Sequence, residues 1–472
     1  MPLNIPTDRS LEIESFITKW MSNYHIPGAA LTITSEHGNS SFKTFGARSL
    51  TNNKQVTKNT LFGIGSCTKS ITALGIMQLA EQDHVSLSDP VNEYIPHLLT
   101  APGPPISIAE LLTHSSGIPS DEVVRPLAVR PILGGHAEAP LTSEKDFRRH
   151  VRGGCELRIV DDDEFRYYNT GYILLGKVIE AVSGQTYEEY IAEHILTPLG
   201  MNHSTFLSEE FESSADRMTP YFRLETETVQ AEFPFRNLFY ACGGLITSPV
   251  DISRYLCMYM DQGNVEGTTV LTSPSTNRMC RPHSLFGRRF DGAKVAYGLG
   301  LSIEPFLDQT LIGHGGTIGV SNAWFGFLEE SRTAVAIMCT TEPEVDAAAA
   351  GKSILAILQG KQPRTAVPQL RLADHLEKVT GAYTTYRGLG SATVERVGGT
   401  LRIKCESTDG AYREELLIPD QINDDCLICS TVMDSGLRRR VRFRYEDRIE
   451  LLFGRSRFWK ETLTSSSCSP NT

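Results

Sequence analysis

The pattern of apolar residues changes near residues 360–369, and this change most constrains how the chain can fold. Before it, apolar residues recur at helical spacing or in longer runs, whereas after it they alternate in seven or eight short segments separated by turn residues. Alternation of this kind, in about 100 residues, predicts a small β-barrel or sandwich. The segment GKQPRTAVPQ between the two regions resembles a linker. We therefore predict a first unit at 1–362, a β-rich domain at 370–463 and a disordered tail at 464–472.

Composition excludes some classes of partner. The 472 residues carry 45 Lys and Arg against 56 Asp and Glu, a formal charge of −11. Binding to nucleic acid or to anionic membranes generally depends on Lys and Arg meeting phosphates, so we expect neither. The basic run at 438–440 is interpreted as a solvated strand face, with a patch for an acidic partner as the alternative. Composition therefore favours a soluble enzyme or binding protein.

Targeting and metal-binding patterns are not visible. The N-terminus lacks a basic region followed by an apolar one, and no apolar run approaches ~18 residues. The ten cysteines are scattered, which favours reduced thiols, and Cys426-x-x-Cys429 has neither a second pair nor an adjacent His. The sequence contains no H-E-x-x-H pattern, and no Rossmann fingerprint opens a βαβ unit. We therefore expect a cytoplasmic protein with no metal and no cofactor.

The first unit mixes helical and strand patterns. Spacing of apolar residues predicts helices at about 11–24, 66–81, 170–184 and 344–360. Strand patterns lie on either side of the turn at 37–39 and in four segments between 296 and 341. The region 99–160 is rich in Pro and Gly and is predicted to consist mainly of loops. This interspersed order indicates an α/β (α+β) unit.

The stretch FGIGSCTKS carries the first chemical signal. A phosphate-binding loop requires Gly directly before its Lys, and Thr68 occupies that position, so a nucleotide site is not expected. The same stretch also contains the motif Ser66-x-x-Lys69. Residues three apart on a helix share a face, so Lys69 can reach the Ser66 hydroxyl. The helix N-terminus favours a developing alkoxide, and a lysine held away from water can act as the base that activates serine. Alone, this motif is common by chance.

Two further motifs follow in the chain. Tyr167-x-Asn169 precedes the predicted third helix and offers a phenol and an amide two residues apart; taken alone, an aromatic packing cluster explains it better. His314, Gly315, Gly316 and Thr317 end a predicted strand, where glycines leave backbone N–H groups open to a substrate, although a simple strand-end turn has the same pattern.

The order S-x-x-K, Y-x-N, H-G-G, at spacings of about 100 and then 145 residues, resembles one family. The chain is similar to serine hydrolases of the β-lactamase/penicillin-recognising group, in particular to class C β-lactamases and their esterase and D-aminopeptidase relatives. The resemblance extends over most of 10–360 and includes the phrases LSDPVNEYIP, IAELLTHSSGIP, LTPLGMNHSTF and CGGLITSPVDISRY. It implies an antiparallel sheet flanked by helices plus a helical lobe, with the cleft between them. The final β-rich segment looks similar to the lipocalin-like C-terminal domain of some of these peptidases.

The resemblance also implies roles for individual residues. Ser66 becomes the acylated nucleophile, with Lys69 and Tyr167 as its proton-transfer groups and Asn169 as a support. The third motif maps onto His314, Gly315 and Gly316, and the backbone N–H groups of Ser66 and Thr317 are the expected oxyanion hole. His114, in LLTHSSG, is interpreted as a structural residue at a helix end.

Two departures from the family pattern bear on the substrate. His314 stands where β-lactamases and carboxypeptidases have Lys, and a neutral His anchors a carboxylate less well than a permanent cation. The acidic segment at 161–164 replaces a Pro-Gly turn and is interpreted as a solvated loop, or as a site favouring a cationic substrate group.

These observations predict a hydrolase acting on a small-molecule ester, amide or peptide through an acyl-Ser66 intermediate. An acyltransferase or peptide cyclase using the same intermediate is the alternative, and a non-catalytic binding relative is a third hypothesis. The expected partners are the substrate and, in a homo-oligomer, further copies of the chain, with no nucleic acid and no membrane.

Overall fold

The computed structural model describes residues 3–96, 101–120, 122–124, 127–128, 132, 143–160, 164–224, 228–407 and 412–461. The chain divides into two compact units. The first comprises 1–287 and 294–362, and the second comprises 288–293 and 363–472. The predicted tail at 464–472 and the acidic residues 161–163 lie outside the described residues.

A nine-stranded sheet, in the order β10-β11-β12-β13-β14-β15-β1-β2-β3, forms the centre of the first unit over its described residues. The pairings recorded along it are antiparallel, as between β13 and β14 and between β15 and β1. Its strands are β1 Gly28–Ser35, β2 Ser40–Ser49, β3 Lys54–Gln55, β10 Ser284–Arg288, β11 Lys294–Tyr297, β12 Ser302–Phe306, β13 Gln309–Thr317, β14 Asn322–Leu328 and β15 Thr333–Cys339. Strands β14, β15 and β1 are apolar almost throughout, because helices cover both faces of a central strand.

Helices and three short ribbons complete the first unit. The helices are α1 Thr7–Asn23, α2 Thr68–Glu81, α3 Ile108–Leu112, α4 Glu144–Cys155, α5 Asn169–Ser183, α6 Tyr187–Ile191, α7 Ser208–Ser213, α8 Tyr240–Gly243, α9 Pro249–Met260, α10 Ser273–Met279 and α11 Ala347–Leu358. The ribbons pair β4 Phe62–Gly63 with β7 Ile246–Thr247, β5 Tyr221–Arg223 with β6 Thr228–Gln230, and β8 Asn264–Val265 with β9 Thr268–Thr269. The mixed α/β architecture with a large antiparallel sheet confirms the predicted fold class.

The prediction that 99–160 consists mainly of loops was wrong in two places, at the five-residue helix α3 and at a longer helix. The structure has the twelve-residue helix α4 there, with the Ser143 side chain accepting a hydrogen bond from the Asp146 backbone N–H at its start. Phe147, Val151 and Cys155 recur every four residues and are buried on one face. The Gly153-Gly154 pair disguised this helix, because glycine is unfavourable in a helix interior.

The second unit contains a closed barrel of eight antiparallel strands, which settles the prediction in favour of a barrel over a sandwich. The strands are β16 Gly381–Thr385, β17 Gly390–Val397, β18 Thr400–Ser407, β19 Tyr412–Asn423, β20 Cys426–Val432, β21 Arg438–Tyr445, β22 Ile449–Phe453 and β23 Ser456–Lys460. Alternate residues such as Leu401 and Ile403 point into a buried apolar core. Pairing of β23 with β16 closes the barrel, which leaves no open sheet edge.

The segment at 360–369, interpreted from the sequence as a linker, contains helical residues. It contains the short helix α12 Pro363–Ala366 and the start of helix α13 Pro368–Val379. Proline suits the first turn of a helix because the N–H it lacks would be unpaired there, so Pro368 begins α13 rather than breaking it. Leu376 and Val379 of α13 pack against the barrel core.

Within the described residues, the helices are all too short or too polar to cross a lipid bilayer. The nine cysteines that lie in those residues are free thiols.

Candidate active site

Ser66 lies where the chain enters helix α2. A single 3₁₀ turn at Gly65–Cys67 leads directly into α2, so the serine is at the positive end of the helix dipole. The helix interior is buried on every side, whereas Ser66 itself is half-buried. The sequence therefore folds into a rigid buried helix that presents one hydroxyl to the surface of the unit.

Lys69 lies one turn further along and is fully buried. Its Nζ donates to three acceptors: Ser66 Oγ at 3.1 Å, Asn169 Oδ1 at 2.8 Å and the Cys242 carbonyl at 2.7 Å. A lysine ammonium has three N–H donors, so every donor of this buried group is paired. Two of the acceptors are carbonyl oxygens, which can only accept, while the third is a hydroxyl that can accept or donate. A proton can therefore move along only one of the three bonds, the one to Ser66.

Tyr167 and Asn169 enter the site from the segment before helix α5. Asn169 is the first residue of α5, and its amide oxygen bonds Lys69. The Lys69 Nζ lies 4.8 Å from the centre of the Tyr167 ring, and Tyr167 is half-buried. The structure therefore brings the S-x-x-K and Y-x-N motifs together around one ammonium group.

The third motif lies against the first through closely approaching backbones. It forms the end of strand β13, where a Cβ added to Gly316 would lie 2.6 Å from the Ser66 nitrogen. A Cβ added to Gly65, whose φ is +51°, would lie 2.6 Å from the Thr317 nitrogen. Both distances are shorter than real Cβ contacts, so glycine is required at the two positions. The Ser66 and Thr317 nitrogens therefore lie on two segments in direct backbone contact.

His314 is buried behind this contact and is neutral. Its Nδ1 donates to the Gly315 carbonyl at 2.6 Å, so the neutral ring accepts at Nε2 from the Tyr297 hydroxyl at 2.9 Å. Burial, together with the positive charge of Lys69, lowers the pKa of His314 to about 3. The motif therefore supplies no cation at physiological pH.

Two groups at the site lie outside the three sequence motifs. The Cys242 carbonyl belongs to helix α8, and a backbone acceptor leaves no mark in the sequence. His114 packs its ring against that of Tyr167, with the ring centres 4.4 Å apart, and is almost fully buried. Burial, and then the charge of Lys69, hold the pKa of His114 well below its ordinary value. The placement of this histidine beside Tyr167 was missed, although the sequence phrase LLTHSSG had drawn attention to it.

The geometry suits nucleophilic chemistry better than metal chemistry. Among the described residues, no cluster of three or more His, Cys, Asp or Glu side chains could hold a metal ion. The arrangement has instead a reachable hydroxyl, a buried cation bonded to it, and a phenol beside that cation.

Comparison with known proteins agrees with this description. The model of the Beta-lactamase family matches residues 13–359, and the model of the Pab87 octamerisation domain matches residues 363–459. A solved structure described as the octameric penicillin-binding protein homologue from Pyrococcus abyssi superposes with a TM-score of 0.82 at 32% identity, over 95% of this chain and 99% of that one. A class C beta-lactamase shares the fold at a TM-score of 0.60 and 18% identity, over 74% of this chain and 96% of its own.

Curated relatives match only in part. The putative penicillin-binding protein PbpX of Bacillus subtilis (strain 168) is 30% identical over 246 residues, which is 52% of this chain and 54% of that protein. Protein flp of Staphylococcus aureus (strain MW2) is 29% identical over 260 residues, or 53% of this chain and 49% of that protein. The chain thus spans about half the length of the curated relatives it matches. The family resemblance inferred from the three motifs is confirmed over nearly the whole first unit, and the chain belongs to the beta-lactamase family.

Proposed function

We propose that the protein is a serine hydrolase that cleaves an ester or amide bond, in a small molecule or peptide, through an acyl-Ser66 intermediate. One observation carries this proposal. The Lys69 Nζ donates to two carbonyl acceptors, which leaves its third contact, of 3.1 Å, for Ser66 Oγ, where the neutral amine has its lone pair. A hydroxyl at a helix start with a buried proton acceptor fixed on it is an activated nucleophile.

The proposed reaction has two stages. Ser66 Oγ forms a bond to the substrate carbonyl carbon while its proton passes to the lone pair of Lys69 in the neutral amine form, and the carbonyl π electrons move onto the oxygen. The tetrahedral intermediate then collapses, the bond to the leaving group breaks, and Tyr167 with Lys69 delivers the proton to that group. Water attacks the acyl-enzyme by the same route, which releases the acid and restores the Ser66 hydroxyl.

The oxyanion of this intermediate needs donors that are already in place. Backbone N–H groups of Ser66 and Thr317 are the proposed pair, and the close approach of Gly65 and Gly316 supports this assignment. Such preorganised donors stabilise the charge that develops on oxygen without reorganisation during the reaction.

The neutral state of His314 supports a substrate class. A carboxylate beside His314 would find no positive charge on its ring, because the pKa of this group is lowered to about 3. We therefore propose neutral esters, amides or peptides that approach without a carboxylate at this position, in preference to β-lactams.

A labelling experiment tests the proposal. The full chain is incubated with a fluorophosphonate probe and its mass is measured, with Ser66→Ala as the test variant and Ser213→Ala, an exposed serine on α7, as the control. We expect one label on the wild type and on the control and none on Ser66→Ala, with loss of p-nitrophenyl ester hydrolysis in parallel. Labelling and turnover that persist in Ser66→Ala would overturn the proposal.

Homo-oligomer formation is a second part of the proposal. The barrel matches the model of the Pab87 octamerisation domain, and the similar Pyrococcus abyssi protein is described as octameric. We expect a mass several times that of the 52.2 kDa chain in light scattering after size-exclusion chromatography, and a purely monomeric mass would contradict this. The lipocalin-like nature of the barrel and the cytoplasmic location stay predictions.

A further inference from the structure

The segment that follows helix α3 contains a residue whose backbone conformation is costly. Thr113 caps α3, and His114 follows it with φ of +56°. The N–H of His114 bonds the Leu111 carbonyl at 3.4 Å, and that of Ser115 bonds the Glu110 carbonyl at 3.0 Å. These bonds define the helix ending in which the left-handed residue is normally glycine or asparagine. Histidine adopts this conformation less favourably than glycine does.

The side chain and backbone of His114 together hold both neighbours of Tyr167. The Arg166 N–H donates to the His114 carbonyl at 2.9 Å, and the Tyr168 N–H donates to His114 Nδ1 at 3.0 Å. Between these two bonds, the His114 ring packs on the Tyr167 ring at a centre-to-centre distance of 4.4 Å and an interplanar angle of 34°. Three contacts from one residue therefore fix the three-residue segment that carries the phenol.

The protonation state of His114 allows it to hold the Tyr168 backbone N–H, and it does not favour proton transfer by His114 itself. Because Nδ1 accepts from the Tyr168 N–H, the proton of the neutral ring is on Nε2. That Nε2 has no hydrogen-bond partner among the described residues, and the ring is surrounded by the aromatic rings of Phe165, Tyr172 and Tyr297 as well as Tyr167. A second proton on Nδ1 would face the Tyr168 N–H, which is a donor and cannot accept it. The Nδ1 lone pair therefore stays available to accept the Tyr168 N–H.

We propose that His114 is a positioning residue that holds the Tyr167 phenol beside Lys69 through these contacts. The proposal rests on the proposed function, since it assigns His114 to the proton-transfer step of the same site. Of His114 and Tyr167, only Tyr167 exchanges a proton with the reacting groups, and His114 acts through it. A misplacement of about 1 Å in such a group can lower a rate by about 100-fold.

Two substitutions at this position separate the hydrogen bond from the strain. Glycine and asparagine both tolerate a positive φ, so neither introduces backbone strain. His114→Asn keeps an acceptor oxygen at the position of Nδ1, whereas His114→Gly removes both the acceptor and the ring. We expect kcat for a p-nitrophenyl ester to fall by about 10- to 100-fold in His114→Gly, with KM changed less than about threefold, and to fall less in His114→Asn.

A control histidine exists elsewhere in the chain. The ring centres of Tyr190 and His194 also lie 4.4 Å apart, at an interplanar angle of 35°. Tyr190 belongs to helix α6, and His194 to the π-helical turn Ala192–Leu196 that directly follows it. His194→Asn removes a stacking contact of the same geometry, and we expect it to leave kcat unchanged.

A double-variant cycle gives the readout that a purely structural role would not move. In the Tyr167→Phe background the phenol is already absent, so we expect His114→Gly to lower the rate of Ser66 labelling by less than about twofold, compared with tenfold or more in the wild type. Labelling by fluorophosphonate is followed over hours by mass spectrometry, so slow variants stay measurable. An equal factor in both backgrounds, or equal rates in His114→Asn and His114→Gly, would overturn the proposal. Failure of the proposed function is distinct, because Ser66→Ala would then keep its activity.

Discussion

The neutral His314 predicts a specific dependence of stability on pH. Burial first, and then the Lys69 charge, lower the pKa of this imidazole from its ordinary 6.5 to about 3 in the folded chain. In the unfolded chain the ring regains its ordinary pKa and binds a proton as the pH falls below about 6.5. Between pH 6.5 and 3 the unfolded state therefore binds more protons than the folded state. Stability must decrease as the pH falls through this window.

If His314 stays neutral in the folded chain, the loss of stability depends only on how far His314 is protonated in the unfolded chain. Going from pH 7.5 to pH 5.0, protonation of one histidine with a pKa near 6.5 lowers the free energy of unfolding by about 2 kcal/mol. His314→Gln removes this titration and keeps an acceptor for the Tyr297 hydroxyl. We expect the wild type to lose about 2 kcal/mol more than His314→Gln between the two pH values.

The assay must report the first unit alone. Of the three tryptophans, Trp20 and Trp324 are buried in the first unit and Trp459 lies in barrel strand β23. In a Trp459→Phe background, urea unfolding followed by fluorescence therefore reports the catalytic unit. Equal losses in the wild type and in His314→Gln would refute the neutral, hydrogen-bonded His314 and the substrate preference drawn from it.

Three further predictions test the site and the barrel. Lys69→Met should lower kcat for an ester by about 1,000-fold or more in steady-state kinetics. It should also lower the free energy of unfolding in urea by about 1–3 kcal/mol, because it leaves buried acceptors unpaired. A kcat within tenfold of the wild-type value would contradict the proposed role of Lys69. Gly65→Ala should lower kcat by about 100-fold, because the added Cβ would meet the backbone of the third motif. Its control is Gly184→Ala, at a positive φ of 73° with open space around it, which should lower the free energy of unfolding by about 1–2 kcal/mol and leave kcat unchanged. Equal kcat values in the two variants would contradict this prediction. In the barrel, Leu401→Ala should cost about 2–5 kcal/mol in Trp459-detected unfolding, because it removes a fully buried side chain. The half-buried neighbour Arg402, whose ion pair with Glu414 lies at the surface, should cost less than about 1 kcal/mol as Arg402→Ala, and similar losses would refute the inward orientation of Leu401.

Much of the fold follows from local pattern. The helices at 68–81 and 169–183 and the hairpin strands between 309 and 339 were predicted within a few residues, because their apolar periodicity agrees with their burial. Helix α4 was missed because its glycines weaken the helical pattern, and α13 because Pro368 was interpreted as part of a linker. In both cases packing against a core outweighs local preference.

The site is predictable only as far as side chains reveal it. The motifs name Ser66, Lys69, Tyr167 and Asn169, and the structure places all four around one ammonium group. The third acceptor of that ammonium is a backbone carbonyl, that of Cys242, which any residue type supplies. The position of His114 depends on the turn that brings α3 beside the Y-x-N segment, and such tertiary contacts carry no periodic signal.

The claim that Ser66 is acylated can be tested most directly by trapping the intermediate. The full chain is mixed with a p-nitrophenyl ester, quenched in acid within the first turnovers, digested and examined by mass spectrometry. We expect the mass of the acyl group on the peptide that contains Ser66, appearing with the burst of p-nitrophenol and disappearing as substrate is exhausted. Turnover without an adduct on that peptide, retained in Ser66→Ala, would contradict the account.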